Sequence, residues 1–293
     1  MKILITGCRG QLGTELTKQI SMMDSPLGKI PAEYAGAEVV GVDIDTLDLS
    51  DRKKTVPFIL DGGFDLVINC AAMTNVDGCE TDYDTAFRAN ALAPMYIAEA
   101  CEASGAKLIH VSTDYVFAGD GTRPYTEGDV PAPKTAYGSS KLAGEQYVAQ
   151  QCRRYFIART AWLYSLYGKN FVKTIIGAAR KNGTVRVVND QIGNPTNAAD
   201  LAYHLLKMGV TEEYGIYHVT NNGICSWYDF AKEILRIKVP EAECLPCTSD
   251  EYPSRTPRPK YSALDHVMLR ATCGDEMRDW KEAIQDNLKD LDF

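Results

Sequence analysis

The first thirteen residues constrain the fold more than any other stretch of this chain. Lys2-Ile3-Leu4-Ile5-Thr6 reads as a short buried strand that runs straight into Gly7-Cys8-Arg9-Gly10-Gln11-Leu12-Gly13 and then into a helical pattern. Glycines at that spacing, after a strand and before a helix, allow a tight turn and let the backbone approach a pyrophosphate closely. The helix N-terminus adds unpaired N–H groups and positive potential. A glycine-rich turn without that setting is uninformative; in it, a dinucleotide site is favoured over a plain connection.

The hydrophobic pattern extends this beginning into an α/β architecture. Strands are predicted at Lys2–Thr6, Glu38–Asp43, Asp65–Asn69, Lys107–Val111 and Arg154–Arg159, with helices at Gln11–Met22, Asp51–Leu60, Thr81–Ser104 and Thr135–Gln151. Regular alternation of this kind predicts a doubly wound, Rossmann-type parallel sheet. Asp24–Ala37, with two prolines and two glycines, reads as an extended connection. Beyond Trp162 the pattern changes to helices near Phe171–Lys181, Ala198–Met208 and Ser226–Ile237 and short strands near Val185–Val188 and Ile216–Val219. This suggests residues 1–162 as a dinucleotide-binding domain and 163–293 as a smaller, mainly substrate-binding portion, with the chain free to cross back between them. Glu251–Lys260 holds three prolines and reads equally well as a flexible loop or a ligand cover. No internal repeat or low-complexity tract interrupts the chain.

Composition removes several function classes. A chain of 293 residues that is 45% hydrophobic can fill a sizeable core. It shows no signal-peptide pattern and no run of about 18 apolar residues, so a cytoplasmic location is expected and a membrane partner is not. A net charge of −8 argues against nucleic acid or an anionic membrane as the main partner. Phosphate groups would then need locally concentrated donors, for which the glycine turn, Lys141 and Arg258 are candidates. Nine cysteines, scattered and odd in number, read as reduced thiols. Cys244-Leu245-Pro246-Cys247 could in principle serve redox chemistry or half a zinc site. Only Cys273 and His266 lie near as further ligands, so a structural reading is favoured and no metal site is assigned.

Two further segments carry chemistry. In Tyr137-Gly138-Ser139-Ser140-Lys141, a tyrosine and a lysine four residues apart share one helix face. Alone the pair is ordinary, since a lysine stem often packs on an aromatic ring. In Leu108-Ile109-His110-Val111-Ser112-Thr113-Asp114-Tyr115-Val116-Phe117, an apolar strand ends in hydroxyl and carboxyl groups, where ligands of open parallel sheets bind. Caps and turns use the same residues. Together with the glycine turn, these segments describe a carbonyl reductase. Tyr137 would donate a proton to the carbonyl oxygen as hydride arrives, its phenolate favoured by the Lys141 ammonium. A hydroxyl at the strand end would stabilise developing charge; Thr113 and Ser112 are both placed for it.

These residues resemble the short-chain dehydrogenase/reductase superfamily in its extended, nucleotide-sugar branch. Six segments narrow the resemblance to the dTDP-4-dehydrorhamnose reductase family: the glycine turn, Asn69-Cys70-Ala71-Ala72-Met73-Thr74-Asn75-Val76-Asp77, Ser112–Phe117, Arg159-Thr160-Ala161-Trp162, Asp190-Gln191-Ile192-Gly193-Asn194-Pro195-Thr196 and Arg258-Pro259. The likeness runs from Lys2 to about Trp280 and implies reduction of the C4 keto group of dTDP-4-dehydro-L-rhamnose for a surface polysaccharide precursor. It implies that Thr113, Tyr137 and Lys141 are catalytic, with Lys141 also holding the nicotinamide ribose. Gly7, Arg9, Gly10, Gln11, Leu12, Gly13, Asp43, Ala71, Ala72 and Met73 would line the cofactor, Met73 standing where an aromatic residue is frequent. Val76, Tyr115 and Trp162 would enclose the deoxysugar, with core packing the rival reading for Val76 and Trp162, and Thr113 and Asp114 would also contact the substrate. Gln191, Pro195, Thr196 and Arg258 would line the nucleotide side, with a solvated loop arginine the rival for Arg258.

Cofactor choice carries opposed signals. Asp43 at the end of the second strand suits a ribose 2′-hydroxyl and repels a 2′-phosphate, whereas Arg9 could neutralise that phosphate. Dual use is expected, with NADPH slightly favoured over NADH. The family also implies a magnesium-bridged dimer in some members, for which Glu15 matches one ligand; the rival is a first-turn glutamate facing the helix dipole. The expected assembly is a monomer or homodimer. Alternatives are a nucleotide-sugar epimerase or dehydratase, and a regulatory subunit like that of methionine adenosyltransferase. A dehydratase would be expected to carry Glu where Tyr115 stands.

Overall fold

The computed structural model describes residues 1–252 and 254–291. Pro253, one of the three prolines in the segment 251–260, and residues 292–293 lie outside the described residues.

Five apolar segments form parallel strands: β1 (Lys2–Thr6), β2 (Glu38–Val42), β3 (Leu66–Asn69), β4 (Lys107–Thr113) and β5 (Tyr155–Thr160). A sixth strand, Gly215–His218, returns from the second half of the chain to extend the sheet beside β5. The order is Gly215–His218, β5, β4, β3, β1, β2. Successive side chains of a strand leave on opposite faces, so each strand feeds two cores. Ile3 and Ile5 of β1 join Leu66 and Ile68 of β3 under α1 (Gln11–Met22) and α8 (Ala198–Gly209), whereas Leu4, Val67 and Leu108 pack on the other face. That second face is covered by α2 (Arg52–Gly62), α5 (Ala93–Ser104) and α6 (Ala136–Gln151).

The region predicted as one helix over Thr81–Ser104 is instead α3 (Val76–Thr81), α4 (Tyr83–Phe87), a π-helical segment (Arg88–Leu92) and α5. The break has a local cause: Asp82 leaves helical space at φ −134° and ψ 76° and caps α4 by accepting from Thr85 N–H. Pro94 then sits in the first turn of α5, where a missing N–H costs nothing. Glu15 lies beyond the first turn of α1, which contains no acidic residue. It is 3% exposed and its carboxyl is shifted up by burial, so the helix-dipole reading does not apply to it.

A third core holds α7 (Phe171–Asn182), α9 (Trp227–Lys238) and the helix Trp280–Lys289, with Tyr164, Phe230 and Trp280 buried at its centre. The Cys-x-x-Cys segment is not a loop. Glu243–Cys247 is a strand paired in parallel with Thr184–Val188, Cys244 opposite Val185 and Cys247 opposite Val188. His266 is engaged by Thr220 and Asp275, and Cys273 packs on the main core. Among the described residues no group of three His, Cys, Asp or Glu side chains is arranged to hold a metal. No helix of the described residues is long and apolar enough to cross a membrane.

Candidate active site

The glycine turn is built for close backbone contact. Gly7 adopts φ +62°, and a side chain there would press on the backbone of Ala71. A Cβ on Gly13 would come within 2.4 Å of the Gly7 carbonyl oxygen. Gly10 caps α1 without any side-chain hydrogen bond, so the first-turn N–H groups are not satisfied by a side chain of the cap. A turn of this shape, bordered by the loop Ala71-Ala72-Met73, fits a dinucleotide pyrophosphate. Gln11 faces away from the turn: its Oε1 accepts from Ser165 Oγ (3.2 Å) and Asn170 Nδ2 (3.1 Å), tying the turn to the second half of the chain.

At the rim, Arg9 N–H donates to Asp43 Oδ2 at 3.2 Å, and the Arg9 guanidinium pairs with Asp45, with its Nε 3.7 Å from Asp43. Asp43 thus braces the glycine turn and shares its arginine with a second carboxylate, Asp45, which the sequence reading missed. The rim is open, with the Arg9 side chain 61% exposed.

The end of β4 and the face of α6 meet deeper in the crevice. Thr135 caps α6 by accepting from Gly138 N–H, and the helix then presents Tyr137, Lys141 and Glu145 at successive four-residue steps toward the sheet, all buried. Gly138 is required, since a Cβ would lie 2.2 Å from the Tyr115 carbonyl oxygen. Thr113 lies beside the Tyr137 phenol, and Thr113 Oγ1 donates to Asp114 Oδ1 at 3.0 Å. Burial lifts the Tyr137 phenol above its ordinary pKa and outweighs the opposing influence of Thr113. The expected acidification of Tyr137 by Lys141 is therefore not the dominant influence in this geometry, because the Lys141 ammonium turns to the Val111 carbonyl at 2.7 Å. Burial also lowers Lys141 to about 8, opposed by Glu145 and Cys70. It raises Asp114 to about 6, opposed by the neighbouring Ser262 and Thr113 side chains.

Ser112 is removed from contention for the oxygen-binding role. Its hydroxyl donates to Glu145 Oε1 at 2.5 Å, within a buried ion pair in which Arg159 Nη2 meets Glu145 Oε2 at 2.7 Å. Tyr115 stands edge-on to Tyr137 at 5.3 Å, and Val76 and Met73 pack against the same small cluster. Asn90, in the π-helical segment, clamps the cofactor loop: it accepts from Met73 N–H (2.8 Å) and donates to Met73 O (3.0 Å) and Ser140 Oγ (3.1 Å). Irregular helical turns at functional sites are common, but nothing in the residue types here announces one.

The remaining predicted residues enter from the second half. Arg258 Nη2 donates to Asp77 Oδ2 at 3.1 Å and the Arg258 side chain lies beside Tyr115, so it reaches the site already paired and is not a solvated loop arginine. Trp162 adopts φ +47°, an uncommon conformation for a bulky residue, and stacks on Trp227 with ring centroids 3.7 Å apart. Gln191 donates to Ser249 Oγ (3.0 Å), while Pro195 and Thr196 are buried and Thr196 pairs in parallel with Leu163 of the strand that follows Trp162. These three are linked to Asp114 only indirectly, through Ile192 and Ser262.

The sequence profile described as "RmlD substrate binding domain" matches residues 1–293. A spore coat polysaccharide biosynthesis protein, SpsK of Bacillus subtilis (strain 168), is 39% identical over 289 residues, 99% of this chain and 97% of the relative. The crystal structure of a dTDP-4-dehydrorhamnose reductase from Clostridium acetobutylicum superimposes with a TM-score of 0.93 at 43% identity, covering 99% of both chains. A dTDP-4-dehydrorhamnose reductase from Bacillus anthracis, solved in complex with NADP, gives a TM-score of 0.90 at 38% identity and covers 98% of both chains. Matched along its full length and carrying the glycine turn and the Thr113–Tyr137–Lys141 constellation in one crevice, this chain belongs to the RmlD substrate binding domain family.

Proposed function

We propose that this protein reduces the C4 keto group of dTDP-4-dehydro-L-rhamnose to give dTDP-L-rhamnose, using NADPH with some preference over NADH. The observation that carries the reading is the buried Tyr137 phenol beside the Thr113 hydroxyl, with Lys141 one turn away on the same helix. When bound, the reduced nicotinamide supplies hydride. Tyr137 holds the proton needed at the oxygen, and its raised pKa keeps that proton in place until negative charge develops beside it. Thr113 stands beside the phenol, and by turning its hydroxyl from Asp114 it would bond the same oxygen. The apolar side chains of Val76 and Met73 wall the site against water. Trp162, Gln191, Pro195 and Thr196 belong on the sugar and nucleotide side. Arg258 would exchange Asp77 for a substrate diphosphate.

Residues 1–162 serve the dinucleotide and 163–293 mainly the substrate, although α8 and Gly215–His218 return to the first unit. The same relatives support a nucleotide-sugar partner and a role in a surface polysaccharide precursor. A cytoplasmic location and a monomeric or dimeric state complete the proposal. The test is direct: purified protein is incubated with dTDP-4-dehydro-L-rhamnose and either reduced nicotinamide, cofactor absorbance is followed and the sugar product identified. Cofactor oxidation with formation of dTDP-L-rhamnose supports the reading; an unchanged sugar rejects it.

A further inference from the structure

The register of the sheet sets Thr6 opposite Asn69 and Asn69 opposite His110, so three polar side chains form a row across the ends of β1, β3 and β4. All three are buried, and buried polar atoms need partners. Ala71 N–H donates to Asn69 Oδ1 at 3.2 Å, and Thr6 Oγ1 donates to the same oxygen at 2.7 Å. A backbone N–H can only donate, so the Asn69 amide cannot be turned around and its NH2 faces His110. Asn69 Nδ2 lies 3.0 Å from His110 Nδ1. An NH2 group has no lone pair to offer, so Nδ1 accepts and the one proton of the neutral ring sits on Nε2. Burial, with Lys141 adding to it, holds His110 far below its ordinary pKa, so the ring is neutral.

His110 Nε2 lies 3.5 Å from Lys141 Nζ. As an ammonium, Lys141 has three hydrogens and no lone pair, and it meets this N–H donor to donor. As an amine it turns a lone pair to the N–H and keeps its bond to the Val111 carbonyl. The other groups facing Lys141 act in the opposite sense: Glu145 on α6, itself paired with Arg159 of β5, and Cys70 after β3, which has Cys8 of the glycine turn beside it. Tyr137 lies one turn back on α6.

We propose that His110, locked by Asn69 in its Nε2–H tautomer, is a positioning residue that faces Lys141 with a donor and offsets the pull of Glu145 toward a permanent ammonium. The inference rests on the reading of Lys141 as the catalytic lysine. Its consequence is a lysine able to lose and regain a proton near neutral pH. A lysine facing an acceptor would stay charged throughout.

Two measurements on the full-length, ligand-free protein test this without substrate, so a failed reductase assay would leave them standing and their failure would leave that assay untouched. Imidazole ¹⁵N spectra, with His110 assigned by its loss in His110→Gln, are expected to show the Nε2–H form at neutral pH; the Nδ1–H form overturns the proposal. Asn69→Asp replaces the donor with an acceptor and forces the ring proton onto Nδ1, leaving Nε2 to accept. The ¹³Cε signal of Lys141, assigned by Lys141→Met, should then titrate higher by roughly one unit. The added carboxylate charge is controlled by repeating Asn69→Asp in a His110→Phe background, where most of the shift should vanish. An unmoved titration in Asn69→Asp, or an equal shift without the histidine, shows that the tautomer does not act on Lys141.

Discussion

Two charged clusters border the same crevice and obey different physics. At the rim, Arg9, Asp43 and Asp45 meet in solvent, with the Arg9 and Asp45 side chains 61% and 55% exposed. Inside, Lys141, Glu145 and Arg159 are 1%, 2% and 2% exposed. Exposed pairs contribute little because water and salt screen them and long side chains lose entropy on pairing. Buried charges are costly to leave unpaired, so each interior group has a fixed partner: Arg159 with Glu145, Lys141 with the Val111 carbonyl. The exposed rim is therefore free to rearrange, whereas the buried interior holds one arrangement.

The interior should yield the largest effects. Tyr137→Phe keeps the ring and its packing but removes the proton, and is expected to lower turnover by at least about 100-fold while circular dichroism and cofactor binding stay as in wild type. Near-normal turnover would reject Tyr137 as the donor. Lys141→Met is expected to weaken turnover and cofactor affinity together, since the proposal assigns one ammonium both the ribose and the phenol. Losing turnover alone would separate those roles. The depressed pKa also sets a pH window. Lys141 loses its proton near pH 8, well below the usual lysine value, so kcat/KM for reduction should fall as pH rises through about 8. A flat profile to pH 10 would contradict this.

Asp114 gives an intermediate effect, read as stability. Its pKa is raised from 3.8 to about 6 by burial, so the folded state binds this proton more tightly than the unfolded chain. That contribution is fully present below about pH 3.8 and is lost as pH rises through about 6. Asp114→Asn should consequently stabilise the protein at pH 8 relative to pH 4, by on the order of 2 kcal/mol. Thermal melts at the two pH values decide it; equal changes would mean the carboxylate is well compensated.

The rim should respond least. Arg9→Ala is expected to lower the NADPH-to-NADH ratio of catalytic efficiencies, and Asp43→Asn to raise it, each by about two- to fivefold at low salt and less as salt is added. Unchanged ratios in both variants would show that neither residue reads the adenosine ribose. A salt-independent shift would mean the rim closes over the cofactor and resembles the interior after all.

Local signals were legible wherever chemistry and conformation coincide within a few residues. The helix over Gln11–Met22, the strand before it and the glycine turn between them follow from propensity, positive φ and backbone approach. Tyr137 and Lys141 follow from helical periodicity. The broken helix at Asp82 was hidden because a capping aspartate also suits a helix surface. The strand at Glu243–Cys247 was hidden because its evidence is a distant partner, Thr184–Val188.

What sequence alone determined is the alternation of strands and helices in the first half and the identity of the glycine turn, since each depends on neighbours along the chain. Tertiary structure alone decided which hydroxyl faces the phenol and which is spent on Glu145. It also decided that Asn69 stands beside His110 and that Arg258 arrives paired with Asp77. Those outcomes depend on strand register and on burial, which raise or lower a pKa by removing water. Water removal is a property of the assembled layers, and no single segment carries it.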